Sequence, residues 1–189
     1  MNENSNTVKW LRYLMYVGIA AMVIALLSIF LPNGLPRWIG LAVSGVTAYL
    51  LFMLTGSNAR YKKSAIFYGV SLGITVLGIQ LLGLVGDICA IVAQYQEYHA
   101  HGELIEEQDP TLAGKWGSLF WLQVALSVIV ALLGAVIATA LIMAANLEEA
   151  VVTLIITVIV AVLTLALKAL YLSYLNRTIK LLEKEIVVE

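Results

Sequence analysis

Charge in this chain is confined to the gaps between long apolar runs, and that partition leaves few folds open. Five runs stand out, at residues 13–31, 38–55, 65–93, 119–145 and 150–175. Ten of the eleven Lys and Arg residues and eleven of the twelve Asp and Glu residues lie outside them; the exceptions are Lys168 and Asp87. A bilayer core about 30 Å thick needs about 20 apolar residues in a helix to cross it. Backbone facing lipid must satisfy its own hydrogen bonds, so each run is expected to be helical. The runs do not alternate apolar with polar residues, which excludes a membrane β-barrel. Only 12% of residues are charged, about half the share of an ordinary soluble domain. The expected fold is therefore an all-α integral membrane bundle of five helices, a single polytopic domain over residues 1–189.

The punctuation between runs agrees. "LPNGLPRW" reads as a tight hairpin with Pro36 in the first turn of the second helix. In "AANLEEA", Asn146 can stop one helix, and Glu148 and Glu149 favour the start of the next. "QDPTL" reads as a helix start, with Asp109 as N-cap and Pro110 at the first position. The third and fourth helices are thus expected to extend past the lipid and meet in a hydrophilic helical hairpin at residues 95–117. The tail, 176–189, is amphipathic and either lies on the membrane surface or extends the last helix. Within it, Asn176-Arg-Thr178 matches a glycosylation sequon, which matters only in a eukaryotic secretory pathway. Tyr and Trp gather at the ends of the runs, as interfacial belts do. The first run follows Lys9 and Arg12 as a signal peptide would, but it is long and lacks a small-residue cleavage site, so it reads as a retained helix.

Five crossings put the termini on opposite faces. With the N-terminus inside, the basic residues divide five against five, so the positive-inside rule does not decide. The early helix and the compact "RYKK" favour a cytoplasmic N-terminus, with the acidic 95–117 segment external. No inverted repeat of the transporter kind is visible. The length and short connections predict a small bacterial cell-membrane protein.

The two charges within the runs pose the functional question. A charged side chain at the middle of a membrane helix costs about 2.5–3.5 kcal/mol and usually faces a protein partner. On the third helix, Gly69, Gly73, Gln80, Asp87, Gln94 and Tyr98 share one side, with Gly83 and His101 near its edge. Thr153, Thr157, Ala161, Thr164, Lys168 and Tyr171 share a face of the last run, and Gln123, Ser127, Gly134 and Ala138 form a weaker one on the fourth. Small and hydroxyl residues are what membrane helices present to each other. Asp87 and Lys168 each fall about eight residues from the end of their runs, so an ion pair inside the bundle is expected. The alternatives are that Lys168 snorkels to the interface, and that Asp87 is held by Gln80, Gln94 or a tyrosine. A proton or cation site is a further reading. Gly69 and Gly73 make a GxxxG spacing, suited to packing within the bundle or to self-association.

Chemistry-bearing motifs are absent. There is no GxSxG, no HExxH and no pair of carboxylates within a run, so the chain is expected not to be an enzyme and to need no cofactor. His99, His101 and Glu103 would point to different sides of a helix, which argues against a metal site. Glu97 and His101 instead read as an i,i+4 pair on a solvated hairpin. The single cysteine, Cys89, excludes an internal disulfide and sits in an apolar run as a small hydrophobe. The net charge of −1 argues against nucleic-acid binding. Beyond the lipid bilayer itself, the expected partner is another membrane protein or a second copy. The first functional reading is a non-enzymatic interaction, accessory or regulatory protein docking through the 95–117 hairpin. The alternative is a small oligomeric channel or transporter that uses the polar faces of the third and fifth runs. A weaker third reading is a lipid groove between helices.

Overall fold

The apolar run 65–93 does not form one helix. In the computed structural model, one helix ends at Leu77 and another begins at Gly83. Gly78 stops the first: its φ of +66° lies in the left-handed region, and its N–H bonds the Thr75 carbonyl at 3.3 Å. Glycine adopts that backbone without a Cβ clash, which is why it closes helices. Among the described residues there are six α-helices in place of the five expected: α1 (Glu3–Leu27), α2 (Leu35–Met53), α3 (Ala59–Leu77), α4 (Gly83–Glu103), α5 (Pro110–Met143) and α6 (Leu147–Val188). The structure describes the backbone of residues 3–27, 35–78, 82–143 and 147–188, and the side-chain surroundings of 5–27, 38–78, 82–133 and 155–187. Among the described residues there is no strand.

Each connection has a local cause. A short 3-10 turn at Leu54–Gly56 follows α2. Asn58 then takes an extended conformation and caps α3 by accepting a hydrogen bond from the Arg60 N–H at 2.8 Å. Asp109 caps α5, accepting from the Leu112 N–H at 2.9 Å, with Pro110 at the first position as expected. Pro36 lies in the first turn of α2, and Glu148 and Glu149 in the first turn of α6, also as expected. The 28–34 loop and Asn146 lie outside the described residues.

Helices α3 and α4 pair antiparallel. The Ser64 hydroxyl donates to the Ala93 carbonyl at 2.8 Å, and farther along Ile74 sits 3.4 Å from where a Cβ on Gly86 would stand. Each helix packs chiefly on its sequence neighbours, and α6 packs back on α1, so the six close into a ring. Arg12 of α1 bonds Glu183 of α6 at 2.6 Å, and Thr7 bonds Ser57. The start of α1 and the end of α6 thus lie at one end of the ring. This corrects the expectation of termini on opposite faces; the reason is the even number of helices. The tail is not a separate surface helix. It completes α6, with Leu175, Thr178, Ile179 and Leu182 buried.

The core is concentrated at that same end. Leu11, Leu51, Leu54, Tyr61, Ile105, Trp116 and Leu175 are fully buried there. Away from it the outward faces are apolar and bare, with Leu77 72% and Leu84 73% exposed. Among the described residues, four stretches are long and apolar enough to cross a membrane: Ser5–Leu27, Trp38–Gly56, Pro110–Leu133 and Ile155–Val187. The molecule is an all-helical bundle compatible with a membrane location, and the span expected at 65–93 is not among those four.

The glycines divide by position. A Cβ at Gly69, Gly73 or Gly83 would meet nothing within 4 Å, so these three do not form the intramolecular packing contacts expected of them. The break at Gly78 is the reason, since it reorients the face they were assigned to. The surroundings of Gly134 lie outside the described residues. The close approach falls instead at Gly102, where a Cβ would stand 3.2 Å from the Ala113 backbone oxygen. Gly69→Ala should therefore raise stability by about 1 kcal/mol through helix propensity. Gly102→Val should lower it by about 1–3 kcal/mol through overpacking against backbone. Equilibrium unfolding in detergent checks both signs.

Candidate functional site

Inside the ring is a cavity of about 550 Å³. All six helices contribute to its wall, through Leu14, Ser44, Tyr68, Glu97, Ser127 and Lys168 in chain order. Its wall runs from the buried core toward the end where α1, α3 and α5 finish. The floor is polar because α4 turns its Gln94-Glu97-Tyr98 edge inward. These residues, three and four apart, share one helix face.

Glu97 is the centre of that floor and is only 3% exposed. Tyr171 of α6 donates its hydroxyl to Glu97 Oε1 at 2.6 Å, and Tyr68 of α3 donates to Oε2 at 3.1 Å. One carboxylate thus ties three helices together. Beside it, the Tyr98 hydroxyl donates to Gln123 Oε1 at 2.6 Å, and Gln123 Nε2 donates to Gln94 Oε1 at 3.2 Å. A carboxylate offers about four acceptor positions, so Glu97 keeps capacity toward the cavity after binding two hydroxyls.

Behind Glu97 lies His101, fully buried. Its Nδ1 is 2.7 Å from the Tyr61 hydroxyl. Its Nε2 faces Glu97 Oε1 at 3.6 Å and has no hydrogen-bond partner among the described residues. If Tyr61 donates to Nδ1, Nε2 carries the hydrogen and points it at the carboxylate. The opposite tautomer would set a lone pair against that carboxylate, so the first arrangement is favoured. The imidazole stacks on Trp116, ring centres 4.6 Å apart. Trp116 also meets Tyr98 and Tyr171 edge-on and donates its Nε1–H to Thr178 at 3.2 Å.

These positions correct the expectation of a solvated hairpin at 95–117. Glu97 and His101 are the i,i+4 pair foreseen, but they and Tyr98, Ile105, Leu112 and Trp116 are buried in the bundle. What remains outside is the turn at residues 103–109, where Glu103, Glu106, Glu107 and Gln108 are exposed around the buried Ile105. Glu103 there accepts from Asn58 at 2.9 Å and from Arg60 at 2.6 Å. Partial desolvation pushes its carboxyl up, but the hydrogen bonds from Asn58 and Arg60 and the Arg60 charge outweigh that and hold it below its ordinary value. His99 faces another way, with its Nδ1 2.9 Å from the Tyr95 carbonyl.

Of the polar residues singled out in the sequence, the fold brings Gln94, Thr164 and Lys168 to the cavity. Asp87 is exposed on α4, and no Asp87–Lys168 ion pair is found among the described residues. The reason is depth. Asp87 lies ten residues before Glu97, roughly 15 Å along the helix, whereas Lys168 is one turn from the Tyr171 that binds Glu97. Gln80 lies outside the described residues. Glu97, Tyr68, Tyr171 and His101 had not been recognised as a site. For Glu97 and His101 the signal is the continuation of the Gln94 and Tyr98 face into the stretch read as solvent-exposed, and for Tyr171 it is the face shared with Lys168.

No protein-family model, no curated protein and no solved structure matches this chain. The class its own residues define is an all-helical bundle, compatible with a membrane location, built round a polar-floored cavity.

Proposed function

We propose that this chain is a non-enzymatic membrane carrier that takes a small solute into its central cavity. The observation that carries the reading is the cavity itself: six helices enclose space with a carboxylate, an ammonium, two glutamines and several hydroxyls on an otherwise apolar wall. A bundle needing only stability would fill that space with side chains. Concave, mainly apolar sites with a few convergent polar groups are where small molecules bind.

The arrangement also supports an orientation. Lys9, Arg12, Arg60, Lys62, Lys63, Lys115, Arg177, Lys180 and Lys184 lie at the closed end of the ring, against Arg37 alone at the other. Under the positive-inside rule the closed end and both termini are cytoplasmic. The acidic 103–109 turn is then cytoplasmic too, not external. The apolar stretches of α3 and α4, residues 64–77 and 83–93, fall short of a full crossing, so this hairpin enters the membrane without spanning it. Four crossings and one re-entrant pair keep the termini together, and the cavity faces away from the cytoplasm.

Single cysteines test this in a Cys89→Ala background. Ser127→Cys and Thr164→Cys line the cavity, whereas Ile129→Cys and Val162→Cys face outward. In reconstituted vesicles a charged, membrane-impermeant thiol reagent should label the first pair and spare the second. Equal protection of all four would mean a dry bundle, and the carrier reading would fail. The second reading, an accessory or regulatory protein, would then lead; the exposed Glu106 and Glu107 beside Glu103 on the cytoplasmic turn support it as a docking surface.

A further inference from the structure

Glu97 and Lys168 line the same cavity, carry opposite charge and do not pair. We propose that the cavity's ligand is a small zwitterion with an apolar body, of the amino-acid or short-peptide class. Its ammonium would be taken by Glu97 and its acid group by Lys168. This rests on the carrier reading and names the chemistry of its solute.

The argument starts from what each charge lacks. Glu97 is buried; its hydrogen-bonded partners are two neutral hydroxyls, from Tyr68 and Tyr171, and the His101 imidazole behind it stands at 3.6 Å, beyond hydrogen-bond distance. Hydroxyls satisfy acceptor positions but supply no formal positive charge, so a desolvated carboxylate gains further from a cation. Lys168 lies within an apolar helix long enough to cross a membrane and forms no ion pair among the described residues. Its ammonium has donors and no acceptor of its own.

Position comes next. Lys168 precedes Tyr171 by three residues, so both project on one face of α6, with Cβ atoms about 5–6 Å apart. Tyr171 is the residue that reaches Glu97. The two charges therefore flank one region of the cavity without closing the ion pair that so near a placement would otherwise favour. The same cavity wall includes Leu14, Val17, Leu126, Leu167 and Leu172. A ligand with a charge at each end of a polar head and an apolar remainder matches all three features. A simple amine would leave Lys168 uncompensated, and a simple acid would meet Glu97.

The test uses the full chain in detergent or nanodiscs. Its readout is a saturable shift in the thermal unfolding midpoint, with intrinsic tryptophan fluorescence as a second signal. The probes are leucine and dileucine, their N-acetyl forms, which lack the ammonium, and their C-terminal amides, which lack the carboxylate. The zwitterions should bind, and both single-charge forms should be weaker by about tenfold or more. Lys168→Met is the decisive variant, because Lys168 is exposed to the cavity and forms no ion pair among the described residues. It should weaken the zwitterions to the level of the amides while leaving amide binding unchanged. Glu97→Gln should do the same for the N-acetyl forms. Equal binding of all three forms, or a Lys168→Met protein that binds zwitterions as well as the parent, would overturn the proposal. So would absence of binding by every probe. If the cavity cysteines still label in that case, the carrier reading stands and only the ligand class is wrong. If they do not, both fall together.

Discussion

Trp116→Ala is expected to lose about 3–5 kcal/mol of stability, the largest effect of any single change considered. Trp116 is fully buried at the closed end of the ring. Its indole packs on His101, Tyr98, Tyr171 and Tyr174 from α4 and α6, and its N–H is the donor to buried Thr178. Truncation would empty the space where three helices meet and strand the Thr178 hydroxyl. Trp116→Phe should cost less, about 1–2 kcal/mol, because an aromatic ring remains and only the hydrogen bond and part of the volume go. Trp121, next to the same cluster in sequence but 64% exposed, should tolerate alanine within about 0.5 kcal/mol. Equilibrium unfolding in mixed micelles would rank the three. A Trp116→Ala protein as stable as Trp121→Ala would mean that the closed end is not the core of this fold.

Glu97→Ala should cost about 2–4 kcal/mol, because it leaves the Tyr68 and Tyr171 hydroxyls as buried donors without their acceptor. Glu97→Gln keeps one acceptor oxygen and should cost about half as much. The informative variant combines Glu97→Leu with Tyr68→Phe and Tyr171→Phe. With donors and acceptor removed together, stability should recover most of the loss, since replacing all partners of a buried polar set by apolar groups is close to neutral. If Glu97→Ala alone is neutral, water from the cavity already serves the two tyrosines. Recovery in the triple variant, with loss of zwitterion binding, would separate what Glu97 does for the ligand from what it does for the fold.

The contrast between Asp87 and Glu97 shows how far local pattern reaches. Asp87 drew attention because it interrupts an apolar run, yet it sits on an exposed face of α4. Glu97 lies among His, Gln and Glu and reads as solvent-facing, yet it is the buried carboxylate. Hydropathy averages over a window and reports the mean surroundings of a stretch. It does not report which face of a helix turns inward, and α4 is polar at one end precisely where its inward face is most enclosed. Gln94, Thr164 and Lys168 were legible as cavity residues because each lies on a periodic polar stripe of a long helix. Tyr171 was legible as a member of the face it shares with Lys168, but Tyr68 only as an interfacial aromatic, since nothing local distinguishes a tyrosine at a lipid headgroup from one donating to a carboxylate 29 residues away.

Gly78 makes the same point for the fold. Glycine is common in membrane helices, and Gly69, Gly73, Gly83 and Gly86 surround it in sequence. Only the turn of the chain reveals which of these glycines takes a positive φ. From that one residue follow the sixth helix, the closed ring and the placement of the start of α1 and the end of α6 at one end. By itself the sequence determined that this chain is helical, that its long helices suit a membrane, and that Asp109 and Pro110 start α5. Those features depend on period, apolar length and capping chemistry within a few residues. Tertiary structure alone decided that the helices close on α1, that a cavity remains inside, and that Glu97 and Lys168 share it unpaired. Those features depend on which faces meet across the bundle, and contacts between residues far apart in sequence leave no periodic trace along the chain.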